Sequence, residues 1–351
     1  MTTPTTTLSG AAADTPSPGT FIATTRLRVT VKTVLLSPNL GEDRVEEAEA
    51  LLQGKAEAMR VATGEEVARA IRGADAYLCS GFPRELPEER AAYARLRLVQ
   101  TTSAGVDHIP WERLPSEVVV CGNAGAYNTA LAEHAFALLL AAAKRVVHHA
   151  TNIRKQQFEQ TVPGKQLRGA TLGIIGLGGI GKEIARLGQA FGMRVIGITR
   201  RGTSDFPAAW VGAPSDLDRL LEESDFMVIA VPHTKETNHL ITAKQLMRMK
   251  HDAVLVNIAR GDIVKEDDLF QHLRNVPSFV AASDVWWRYP KGAGYPFSFP
   301  FHSLLNFFGT PHVAWNVPPQ RMAALQAAVE NVLAWADGRP VRNVADPADY
   351  R

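Results

Sequence analysis

Leu172-Gly173-Ile174-Ile175-Gly176-Leu177-Gly178-Gly179-Ile180-Gly181 is the stretch on which the fold turns. An apolar run of strand character enters a glycine cluster, and residues 182–191 then set Ile184, Leu187, Gly188 and Phe191 on one helical face. The pattern is G-x-G-x-x-G between a strand and a helix. Gly176 permits the tight turn, Gly178 lets the backbone approach a pyrophosphate, and Gly181 lets the helix pack closely on its strand. The helix start offers unpaired N–H groups and a positive dipole end to phosphates, with Gly179 and Ile180 completing the expected contacts. A tight turn with no ligand would share this spacing, so the rest of the chain must decide.

At 351 residues the chain is long enough for two domains, each with its own core. A net charge of +2 and the lack of a Lys/Arg-rich run exclude nucleic acid as an expected partner. Two cysteines, Cys79 and Cys121, make neither a disulfide framework nor a metal cluster and fit a reducing compartment. Residues 1–26 are rich in Thr, Pro, Ala, Ser and Gly and read as a disordered tail without the features of a secretory or mitochondrial leader. No stretch reads as a membrane span. These features predict a cytoplasmic protein that binds no membrane and no metal.

Residues 27–36 open with strand-like alternation, and 42–52 follow as an amphipathic helix. Strands at 74–79, 96–101 and 118–121, with helices at 65–71 and 88–94, make a small α/β domain with a largely parallel sheet. Residues 128–147 predict one helix with almost no polar face, buried against the second domain and another subunit. A polar, basic segment, 148–160, leads to the glycine stretch. Strands at 195–198, 226–231, 253–258 and 279–282 then alternate with helices at 217–221, 243–249 and 266–273. Continuous apolar strands joined by helices mean a parallel sheet covered on both faces. A helix at 320–335 is expected to return to the first domain. The predicted class is therefore α/β, two doubly wound parallel-sheet domains with a cleft between them. A flavodoxin-like substrate domain takes 27–125 and 316–351, and a Rossmann cofactor domain takes 126–315.

In this fold an acidic residue at the end of the second strand holds the adenosine ribose of NAD. Here Thr199-Arg200-Arg201 follows that strand, and two guanidiniums beside a small hydroxyl suit the 2′-phosphate of NADP. The expected cofactor is NADP, with NAD second. Arg260, in Asn257-Ile258-Ala259-Arg260-Gly261-Asp262, follows a buried strand at the ligand-binding edge and can hold a carboxylate in two parallel bonds. Ser103-Ala104-Gly105-Val106-Asp107 offers small residues whose N–H groups can face an anion across the cleft. His312, in Thr310-Pro311-His312, precedes the second crossing and can project into the same cleft.

Taken in order, these motifs, with Ala132-Glu133-His134 and Asp284-Val285, resemble the D-isomer-specific 2-hydroxyacid dehydrogenases from about residue 28 to 340. The resemblance implies that Arg260 orients substrate, His312 is the acid/base, the Ala104 and Gly105 amides bind the carboxylate, and Asp284 lies beside the nicotinamide. Val231, Pro232, Ile258 and Ala259 complete the expected cofactor contacts. It further implies hydride transfer between a nicotinamide and C2 of a 2-hydroxy or 2-oxo acid, a closing cleft, and a homodimer aided by the helix at 128–147.

The chain departs from that family at one point. The glutamate expected five residues after the Asp of Asp-Val is Tyr289, and no Asp or Glu occurs from 285 to 315. Without it His312 loses an opposite charge that would favour imidazolium. Three readings stay open: Tyr289 orients His312 through its hydroxyl in a working reductase; the substrate needs no proton transfer, as in formate dehydrogenases; or the protein senses NADP with little turnover. Nine aromatics between 285 and 308, Trp286 and Trp287 among them, could line a substrate pocket or pack a loop.

Overall fold

The computed structural model describes residues 32–80 and 86–351. The expected tail and residues 27–31 of the first expected strand lie outside the described residues.

The first sheet is parallel, in the order β2-β1-β3-β4-β5. It is built from β1 (Thr33–Leu36), α1 (Glu42–Leu52), β2 (Glu57–Arg60), α2 (Gly64–Ala70), β3 (Ala76–Cys79), β4 (Leu98–Thr101) and β5 (Val119–Cys121). This is the flavodoxin-like order. Successive side chains of β1 serve opposite faces: Val34 and Leu36 join one core with Ala48 and Leu52 of α1, while Leu35 joins another with Val67 of α2. β2 escapes a hydrophobic-pattern reading because it is an edge strand, Glu57-Ala58-Met59-Arg60, with no fully buried position. The expected helix at 88–94 is only a 3-10 turn, Arg90–Tyr93, in which the Tyr93 hydroxyl donates back to the Pro87 carbonyl at 2.6 Å.

The second half contains α3 (Asn128–Ala143), α4 (Val146–Arg154), β6 (Thr171–Ile175), α5 (Gly179–Ala190), β7 (Arg194–Ile198), β8 (Trp210–Gly212), α6 (Leu217–Glu223), β9 (Phe226–Ile229), α7 (Ala243–Leu246), β10 (Val254–Asn257), α8 (Glu266–Asn275), β11 (Val280–Ser283) and β12 (Phe307–Gly309). Its parallel sheet runs β8-β7-β6-β9-β10-β11-β12, so the order reverses between β6 and β9. That reversal is the switch point at which doubly wound sheets take ligands. α3 and α5 cover one face, and α6, α7 and α8 the other.

The expected single helix at 128–147 is two. α3 ends at Ala143, and Arg145, in the left-handed region at φ 53°, turns the chain into α4. The break falls on Lys144-Arg145 with no glycine or proline to mark it, and so escapes a pattern reading. The apolar shell of α3 packs on α5, β10 and β11. α9 (Pro318–Ala336) returns to the first sheet, packing on α1, β3 and β4. Beyond it, Val344 bridges Cys121, Ala345 N–H donates to the Val120 carbonyl at 2.9 Å, and Tyr350 stacks on Trp111 at 5.0 Å.

Candidate active site between the two sheets

At the end of β6, Gly176 takes φ 102°, and a Cβ on Gly181 would strike the Gly176 carbonyl oxygen, so a side chain at 181 would push α5 off its strand. Gly178 faces open space, leaving room for a phosphate over the first N–H groups of α5. Val231 and Pro232 follow β9, and Ile258 and Ala259 follow β10, all at the same carboxyl edge. This edge fits the pyrophosphate of a dinucleotide.

The end of β7 is more crowded than its sequence implies. The Thr199 hydroxyl donates to the Thr203 carbonyl at 3.0 Å and accepts from its N–H at 3.1 Å. Arg200 pairs with Asp349 at 3.1 Å, and the Asp349 carbonyl accepts the Lys235 N–H at 3.2 Å. Arg201 is exposed and makes no such contact among the described residues. Two of the three side chains expected to grip a 2′-phosphate are thus engaged by the chain itself. A carboxylate 149 residues away in sequence stands where a local one was missing.

Between the sheets lies a cleft of about 620 Å3 whose walls include Ala104, Gly105, Arg260, Tyr289 and His312. Arg260 reaches across it. Its Nε donates to Asp107 Oδ2 at 3.0 Å, one Nη donates to the Ala259 carbonyl at 2.8 Å, and another lies where a Cβ on Gly105 would stand. Burial pushes the Asp107 pKa up, but the charge and hydrogen bond of Arg260 outweigh it, and the net shift is down. Arg260 is therefore preset with one edge anchored and the rest beside the Gly105 backbone.

His312 sits in the left-handed region at φ 55°, a conformation that costs a non-glycine residue about 1–2 kcal/mol. Asp284 holds it there. Buried at 1 % exposure, its carboxylate accepts from the Thr310 hydroxyl (2.6 Å), the Val313 N–H (2.9 Å) and the Ala314 N–H (3.0 Å). His134 Nε2 lies 2.9 Å from the Thr310 hydroxyl and 3.4 Å from Asp284. Asp284 thus has its oxygens committed to the loop that presents His312. Burial, then the charge of Arg260, lowers the His312 pKa; Asp284 and Asp107 pull it back only in part.

Tyr289 is beside His312, with ring centroids 5.5 Å apart, but its hydroxyl accepts the Trp286 N–H at 3.3 Å. The expected orientation of His312 through that hydroxyl is therefore a ring contact instead. Trp286 and Trp287 line the cleft, and each indole also donates to its own lobe, to the Thr310 and Val264 carbonyls, both at 2.8 Å. The other aromatics of the loop pack there too, Phe299 and Phe301 on Phe270 of α8. Sequence reasoning missed Asp107 and Arg44 as cleft residues. Asp107 lies within a motif it did single out, but its pairing spans 153 residues and leaves no local signal.

A flavodoxin-like lobe and a Rossmann lobe, meeting at a cleft with a cross-lobe arginine and a histidine on a strained turn, define a two-lobed dinucleotide-dependent oxidoreductase. Residues 136–314 match the model of the D-isomer specific 2-hydroxyacid dehydrogenases, NAD binding domain. The chain is 35% identical over 263 residues to a glyoxylate reductase of Aeropyrum pernix, covering 72% of this chain and 77% of that one. It is 28% identical over 316 residues to a D-3-phosphoglycerate dehydrogenase of Methanocaldococcus jannaschii, covering 89% of this chain but spanning only 59% of that relative's length. A crystal structure of a D-isomer specific 2-hydroxyacid dehydrogenase family protein from Aeromonas salmonicida superposes with a TM-score of 0.76 at 27% identity, covering 90% and 99% of the two chains. The chain belongs to the D-isomer specific 2-hydroxyacid dehydrogenase family and is an NAD(P)-dependent oxidoreductase of the 2-hydroxyacid/2-oxoacid class.

Proposed function

We propose that this protein reduces a 2-oxo acid to the 2-hydroxy acid. The observation that carries the reading is the meeting of Arg260, His312 and the Gly105 backbone in one cleft, although they come from three distant segments. The dinucleotide, held by Gly176, Gly178, Gly179, Ile180 and Gly181 with Val231, Pro232, Ile258 and Ala259, supplies a hydride when bound. Arg260 and the amides of Ala104 and Gly105 hold the substrate carboxylate and polarise the ketone. His312 gives its proton to the developing alkoxide. Asp284 positions His312 through its loop, and Tyr289 packs its ring. The substrate lobe is 27–125 with 316–351, and the cofactor lobe is 126–315.

For the cofactor the proposal is NADP over NAD. Arg201 is unpaired among the described residues, and the Arg200–Asp349 pair, with Arg200 60 % exposed, is of the surface kind worth about 0–1 kcal/mol, weak enough for a phosphate dianion to displace. Titration at moderate salt showing NAD bound as tightly as NADP would overturn this. We also propose a homodimer formed through α4, because Val146, Val147 and Ile153 are exposed there, with Phe158 just beyond at 81 %. Light scattering of the wild type and of Ile153→Asp tests it. Among the described residues no helix is long and apolar enough to cross a membrane, and both cysteines are buried and free, which supports a reducing, cytoplasmic setting.

The deciding experiment is NADPH and NADH oxidation with glyoxylate, hydroxypyruvate and phenylpyruvate, with NAD(P)+ reduction by formate run beside it. Turnover of a 2-oxo acid that His312→Asn abolishes supports the reading. Formate oxidation indifferent to His312→Asn would replace it.

A further inference from the structure

Arg44, in the first turn of α1, is 6 % exposed and lines the same cleft as Arg260 and His312. Its side chain makes no hydrogen bond and no ion pair among the described residues, and its Nε is buried without a partner. The charge that acts on it most is another guanidinium, Arg321 of α9, whose Nε is also buried and unpartnered among the described residues. Arg321 rests over the Trp315 ring at 5.6 Å and donates to Asn316 at only 3.5 Å. Burial first, and then Arg321, holds the Arg44 pKa below its ordinary value, while Tyr127 and Asp43 offset little of that. A buried guanidinium with no partner for its Nε, under the repulsion of a second cation, is costly, and such an arrangement persists when something else compensates it.

The groups proposed to hold the 2-oxo carboxylate do not supply that compensation. Arg260 already has Asp107, and the substrate carboxylate is assigned to Arg260 and the amides beside it. Arg44 comes from the other lobe and pairs with no carboxylate among the described residues. We infer that Arg44, seconded by Arg321, binds a second anionic group at the far end of the substrate, so that the enzyme's 2-oxo acid is a dianion bearing a carboxylate or phosphate tail. This rests on the reading given under Proposed function. Arg44 is thereby a specificity-determining residue, and the unpaired guanidinium is the free enzyme's state before that tail arrives.

The test compares 2-oxopentanoate, 2-oxoglutarate and 3-phosphohydroxypyruvate, which separate a neutral, a carboxylate and a phosphate tail, in the wild type, Arg44→Gln and Arg44→Lys. A charge-assisted contact predicts that the favoured dianion exceeds 2-oxopentanoate in kcat/KM by roughly 10- to 100-fold, mainly through KM. Arg44→Gln collapses that ratio and Arg44→Lys keeps part of it. Equal use of all three acids by the wild type, or an equal loss on all three in Arg44→Gln, overturns the inference. Should Arg44→Gln not fold, the wild-type ratios and Arg44→Lys decide alone. A cofactor-free readout separates this from the catalytic reading: the rise in Tm with succinate or inorganic phosphate over acetate at equal ionic strength. A rise lost in Arg44→Gln, without turnover of any oxo acid, keeps the anion site and fails the reductase reading. Glyoxylate turnover with no tail preference and no rise does the reverse.

Discussion

The two arginines on opposite walls of the cleft teach different things. Arg260 is matched: Asp107 holds its Nε, the Ala259 carbonyl takes an Nη, and the absent side chain of Gly105 leaves it space. Arg44 is unmatched among the described residues and lies under the repulsion of Arg321. A matched cation is fixed before substrate arrives and costs little reorganisation in the transition state, which is what polarising a ketone requires. An unmatched one stores an unmet demand that a ligand can satisfy. On the roles proposed above, the first end of the cleft serves rate and the second the choice of substrate.

The largest effect expected at the matched end is that of His312→Asn, which removes the proposed proton donor and should lower kcat for 2-oxo acid reduction by roughly a thousandfold. Arg260→Ala follows, with kcat/KM down by roughly a hundredfold or more, about 2.7 kcal/mol at 1.36 per decade. A loss under fivefold in steady-state assays would break the assignment of Arg260 to the carboxylate. Asp107→Asn leaves Arg260 charged but unanchored, and the expected loss is about tenfold, at the level of one charged hydrogen bond. That variant also has a readout that a purely structural role would not move. Reduction needs imidazolium at His312, whose pKa is already held below its ordinary 6.5 by burial and Arg260. Rate–pH profiles should therefore fall as pH rises through an inflection below 6.5, and removing the Asp107 charge should move that inflection lower still. An inflection above 7 would mean that some unrecognised carboxylate had taken the place of the missing glutamate. The smallest effect concerns the far end of β7: Asp349→Asn frees Arg200 and tightens NADPH over NADH by only about two- to fivefold, as befits an exposed pair, read by fluorescence titration.

The same contrast explains what was legible in the sequence. The glycine loop, α5 and the strand end that carries Arg260 are local patterns, His312 was legible from its short Thr-Pro-His motif, and both lobes of the fold follow from the alternation of strands and helices. α1 at 42–52 has the same bounds in sequence and structure because Val45, Ala48 and Leu52 recur at helical spacing along its buried face, even though Arg44 lies beside them. β8 and β12 escape because three residues each are too few for a period, and α4 because no glycine or proline marks the helix break at Lys144-Arg145. The partners that tune the site, Asp107 for Arg260, Asp349 for Arg200 and Arg321 for Arg44, each join residues more than a hundred positions apart. Only folding brings such charges together. Tyr289 shows the opposite risk: its position beside His312 was legible, but the direction of its hydroxyl depends on the Trp286 amide.

The last residues of the described chain bring one more consequence. Ala345 is bonded to β5, Tyr350 lies on Trp111, and Asp349 holds both Arg200 and the Lys235 amide of the other lobe. Like the Arg260–Asp107 pair across the cleft, the segment is a noncovalent bridge between the lobes, here at the adenosine end. Occupation of the adenosine end and movement of the lobes would therefore both register at two amides, Lys235 and Ala345, remote from the reacting carbon. Hydrogen exchange at that pair could follow cofactor arrival in solution with no substrate present: quicker exchange at Lys235 alone would mean that Asp349 has let go, and quicker exchange at both that the whole segment has peeled away.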